Sequence, residues 1–112
     1  MMRSLPTATT LTLIERWMRK MLQEQLEPED AGRKIWALAG RSASQSFETL
    51  MPLWLIWGAL TDWVETKPAE KSAAEKEMLK AASEWLALPN GDFAARDRYL
   101  DRWLRNAPDT KG

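Results

Sequence analysis

The chain has 112 residues, enough for one domain with a real core and too few for two. Its 16 basic and 16 acidic residues cancel, so no overall field draws it to a polyanion, and only a local basic face could do so. The absence of cysteine and histidine excludes disulfide frameworks, Cys/His zinc sites, and Ser–His or Cys–His catalytic pairs.

Residues 1–11, with Pro6 and several threonines, read as a loose lead-in. They carry one basic residue and no signal-peptide apolar region, so a cytoplasmic location is expected. Thr12 and Glu15 have the spacing of a capping box. Behind them Leu13, Ile14, Trp17, Met18, Met21, Leu22 and Leu26 recur at helical steps, which predicts a helix over 13–27. Pro28, followed by Glu29 and Asp30, opens a second helix over 28–39 that stops at Gly40. Its apolar face is Ala31, Ile35, Leu38 and Ala39, with Trp36 at the margin. Residues 40–46 are small and polar and read as a connection, with no phosphate-binding GxxxxGK[ST] pattern.

The longest run without charge is Leu50–Leu60, LMPLWLIWGAL. Its apolar residues surround a helical wheel, as in a helix buried in a core. Glu48 and Asp62 close it too early for a membrane span of about 20 residues. A buried central helix is expected over roughly 46–65, with Ser46 as candidate cap. Pro52 either belongs to a first turn or kinks a longer helix. The favoured reading is a short turn over 44–50 with the main helix from 52. Gly58 costs about 1 kcal/mol in a helix interior, and close approach of a neighbouring helix is the expected return.

Pro68 marks another start, Ser72 and Glu75 form a second capping box, and a fourth helix is predicted over 69–88. Lys71–Glu75 and Lys80–Glu84 have ion-pair spacing on its charged face. Pro89-Asn90-Gly91-Asp92 is a turn whose Asp92 caps a fifth helix over 93–106. There Phe93, Leu100, Trp103 and Leu104 line one face with Tyr99 beside it, and Pro108 precedes a loose tail. No strand signal is present. The fold class is therefore all-α, a bundle or orthogonal array of about five helices in one domain.

No catalytic set emerges. Glu27, Glu29 and Asp30 suit a helix N-terminus better than a metal site, and di-iron bundles need histidine. The reading is non-enzymatic, with no cofactor and no metal. Seven tryptophans and six methionines exceed what so small a core needs, and Trp, Tyr, Arg and Met are enriched at interfaces. That points to a protein-protein interaction module, binding a partner or itself, of the kind that suits an accessory subunit or a phage- or plasmid-encoded inhibitor. Trp36, Tyr99, Arg102 and Trp103 are its candidate contact residues, with Trp36 and Trp103 expected to tolerate replacement without loss of fold.

The alternative is nucleic-acid binding by the fifth helix. Arg98, Arg102 and Arg105 share one side there, and arginine beside aromatics can bind phosphate and stack on bases. Asp97 and Asp101 on the same helix count against it. A third reading is a small-ligand pocket around Trp54 and Trp57.

Overall fold

The computed structural model is described here for residues 7–43, 49–89 and 91–105. Within them the all-α expectation holds, with five α-helices and no strand. They are α1 (Thr7–Leu22), α2 (Pro28–Ser42), α3 (Leu50–Thr66), α4 (Lys71–Leu86) and α5 (Phe93–Arg105). A 3-10 turn, Pro68–Glu70, leads into α4. The radius of gyration is 13.4 Å, against about 13 Å expected for a compact chain of this length.

Helix α1 starts and ends earlier than its apolar period suggests. Thr12 is not a cap: it lies inside the helix, and its hydroxyl donates to the Ala8 carbonyl at 2.9 Å. The end is a Schellman closure. Gln25 N–H reaches back to the Lys20 carbonyl and Glu24 N–H to that of Met21. This needs a left-handed residue, and Glu24 takes that role at φ 59° although glycine is usual there. Leu26 therefore packs from a loop.

Pro28 begins α2 as expected. Its second amide, Glu29 N–H, has no acceptor within the helix and donates to the Glu75 carboxylate of α4 at 3.3 Å. Glu75 thus caps another helix. It does not close a box with Ser72, which lies within α4. Helix α2 also continues through Gly40 to Ser42.

Pro52 falls in the first turn of α3. The first helical bond of that turn runs from Leu53 N–H to the Thr49 carbonyl. The amide that proline lacks would have had no helical acceptor there, so α3 needs no kink. The expected turn over 44–50 and the Ser46 cap involve residues outside those described, as do Glu48 and the tail from 106 onward.

Leu50, Leu53, Ile56, Trp57 and Leu60 of α3 are fully buried. They join Ile14, Met18 and Met21 of α1, Ile35 and Ala39 of α2, and Met78 and Ala81 of α4 in one core. Helix α2 lies between α1 and α3, α4 crosses all three, and α5 packs on α3 and α4. Asp92 caps α5, its carboxylate accepting Ala95 N–H at 2.9 Å. Among the described residues no helix is long and apolar enough to cross a membrane.

Candidate interaction groove

The tryptophans divide by what meets their ring nitrogen. Trp85 donates to Glu15 at 2.8 Å, Trp63 to Glu70 at 2.8 Å and Trp103 to Glu84 at 3.0 Å. Each is an apolar plate anchored at its edge by a carboxylate from another element or a neighbouring turn. Trp17 lies under Lys34 and Lys20. Trp57 is wholly inside, so it cannot wall a ligand site as the third sequence reading supposed.

Trp36 and Trp54 differ. Helices α2 and α3 run antiparallel, and each presents a tryptophan followed four residues later by glycine. The two pairs interlock. A β-carbon on Gly58 would lie 3.0 Å from Trp36 Nε1, and one on Gly40 would lie 3.0 Å from Trp54 Nε1. Each indole occupies the notch left by the other helix's glycine. The return expected for Gly58 is therefore the approach of an indole, and the backbones need not touch.

Beside this interlock runs an open groove of about 510 Å³ between the same two helices. Its apolar lining includes Trp36, Ala37, Trp54, Leu55 and Ala59, and Asp62 and Glu65 stand at one end. Trp36 is 42% exposed and Leu55 50%. The apolar all-round character of α3 thus has two sources, a buried core stripe and an uncovered strip that faces this groove. A buried central helix describes the first alone.

Charge near the groove is specific. Arg33 donates to Glu65 at 2.7 Å and also to Glu29, and the Arg33–Glu29 hydrogen bond, with the nearby Arg33 and Lys71 charges, holds the Glu29 carboxyl below the usual carboxylate range. Asp62 makes no ion pair among the described residues.

The residues expected from sequence to form one contact surface are separated by the fold. Trp36 is exposed and lines the groove. Tyr99, at 1% exposure, and Trp103, at 6%, are core residues, which corrects their assignment to a contact face. Tyr99 OH donates to the Ala81 carbonyl at 2.7 Å, its ring meets Trp85 edge-on, and burial pushes the phenol well above its ordinary pKa. The apolar face of α5 is thereby rotated toward Tyr99, and Phe93 is left 67% exposed with Arg96 over its ring.

Arg98, Arg102 and Arg105 do lie exposed on one side of α5. Arg102 pairs with Glu84 at 2.7 Å and Arg105 with Asp101 at 3.0 Å, so two of the three already have carboxylates. Lys71 pairs with Glu27 and Glu29 across elements, not with Glu75 as its spacing suggests. No cluster of His, Cys, Asp and Glu able to hold a metal ion occurs among the described residues.

Sequence reasoning passed over Leu55, Ala37 and Ala59 as ordinary apolar positions. The signal that could have found them is the repeated Trp-x-x-x-Gly, once in Trp36–Gly40 and once in Trp54–Gly58, on two helices joined by a short connection. No protein-family model, curated protein or solved structure matches this chain.

Proposed function

We propose that the chain is a non-enzymatic interaction module whose α2–α3 face receives an apolar segment of a partner protein. The observation that carries this reading is the exposure of Trp36 and Leu55 side by side in one groove. Burying such a pair removes large apolar area from water at a groove that is already open. Elsewhere the exposed large apolar residues are scattered: Leu22, Phe93 and Leu104 line no described pocket.

Nucleic-acid binding by α5 is the weaker reading, because Arg102 and Arg105 would have to exchange carboxylates for phosphates. The test is capture by the tagged protein in nuclease-treated lysate, comparing wild type with Leu55→Asp. Leu55 is half exposed, so the variant should keep its melting temperature. A partner retained by wild type and lost by the variant supports the reading. A partner retained equally by both overturns it.

A further inference from the structure

The groove has a polarity that its partner should complement. Its apolar lining runs along α3 from Trp54 and Leu55 to Ala59, and its end carries Asp62 and Glu65. Arg33, the cation in the lining, is already divided between Glu65 and Glu29. Asp62 has no ion-pair partner among the described residues. The charge left for a partner to meet is therefore negative and lies at one end.

From Leu55 to Asp62 is seven residues, roughly 10 Å along a helix. That is two turns, the spacing of i and i+7 on an incoming helix as well. The groove is bounded by two antiparallel helices, and the small side chains of Ala37 and Ala59 in its lining leave room for a third.

We propose that the occupant is an amphipathic helix of a partner protein that seats an apolar anchor against Trp36 and Leu55 and sets a Lys or Arg opposite Asp62, about two turns away. The inference rests on the groove being a protein-docking site. Apolar contact supplies most of the affinity, and the charge fixes direction and excludes acidic helices. The chain's net charge of zero makes a local origin for any such preference identifiable.

The experiment uses the full chain and two synthetic helical peptides with one shared apolar stripe, flanked by lysines in one and by glutamates in the other. Binding is read by peptide fluorescence anisotropy at low salt. The lysine peptide should bind roughly tenfold more tightly than the glutamate peptide. Asp62→Lys should erase or reverse that preference, and Leu55→Asp should abolish binding of both. Equal binding of the two peptides, still lost in Leu55→Asp, overturns the charge inference and leaves the groove as a docking site. Binding that survives Leu55→Asp overturns the docking site itself. Failure of both peptides to bind overturns the helical occupant. So does a wild-type dimer in sedimentation that Leu55→Asp converts to monomer, because a second copy would then cover the groove.

Discussion

Trp36 of α2 occupies the space that a side chain at Gly58 of α3 would need, with Trp36 Nε1 and Cδ1 at 3.0 and 3.2 Å from the position of the missing β-carbon. Gly58→Ala must therefore displace the indole. Trp36 is part exposed and can swing outward, and alanine recovers about 1 kcal/mol of helix propensity. The expected result is a melting temperature changed by no more than a few degrees, with Trp fluorescence more accessible to a soluble quencher. Unchanged quenching would show that the contact is dispensable.

Gly32 gives the contrasting case. A β-carbon there meets the Thr61 methyl at 3.2 Å and Met78 Sδ and a Trp57 ring carbon at 3.4 Å. Thr61 is held by its hydroxyl bond to the Trp57 carbonyl, and Trp57 and Met78 are fully buried. Nothing can swing away, so Gly32→Ala should destabilise by about 1–2 kcal/mol despite better propensity. Denaturant unfolding of the two alanine variants side by side checks the contrast, and equal stabilities would contradict it.

Glu24 holds a left-handed backbone at φ 59° to close α1. That conformation costs a side-chain-bearing residue about 1 kcal/mol and costs glycine little. The carboxylate also sits at the negative end of the helix. Glu24→Gly should raise stability by about 0.5–1 kcal/mol, visible as an upward shift of the urea midpoint. Gly91→Ala, at φ 77° with open space around it, should lower stability by about 1 kcal/mol. A lowered midpoint for Glu24→Gly would remove the strain argument.

Tyr99 and Trp103 should behave as core. Trp103→Ala is expected to cost about 3–5 kcal/mol and reduce the helical signal on warming, whereas Trp36→Ala should cost about 1 kcal/mol. Tyr99 is the chain's only tyrosine, so phenolate absorbance in an alkaline titration reports one group. Burial favours its neutral form in the folded protein. An unfolded tyrosine ionises near pH 10, so the stability held by Tyr99 is complete below that pH and falls as pH rises above it. Phenolate should appear together with unfolding, and Tyr99→Phe should remove this part of the alkaline sensitivity. Ionisation near pH 10 in a chain still folded would contradict the burial.

Glu29 shows the acid counterpart. Its hydrogen bond from Arg33, with the Arg33 and Lys71 charges, depresses its folded pKa below the ordinary 4.5. The linked stability is present above the unfolded value and is lost as pH falls through the folded one. Glu29→Gln should cost about 0.5 kcal/mol at neutral pH, because the Arg33 partner is close to half exposed. The difference from wild type should vanish in acid. A difference independent of pH would assign the effect to packing.

Local signals located the five helices, because an amphipathic stripe, an uncharged apolar run and a proline or aspartate at a helix start are properties of a few neighbouring residues. Pro28 and Asp92 are such cases, and both act as their local sequence suggests. Local signals fail where the decisive partner is distant in the chain. Thr12 and Ser72 have cap spacing yet lie inside helices, while Glu75 caps α2 from 46 residues away. A helical wheel places Tyr99 and Trp103 beside Arg102. Only the packing of α5 on α3 and α4 decides that the aromatics turn inward and the arginine stays outside. The same holds for α3. Its sequence determines that it is apolar on every side, and the tertiary structure decides which side is left uncovered. Burial depends on how many helices surround a given one, and among the five described helices the neighbours run out before the apolar surface of α3 does.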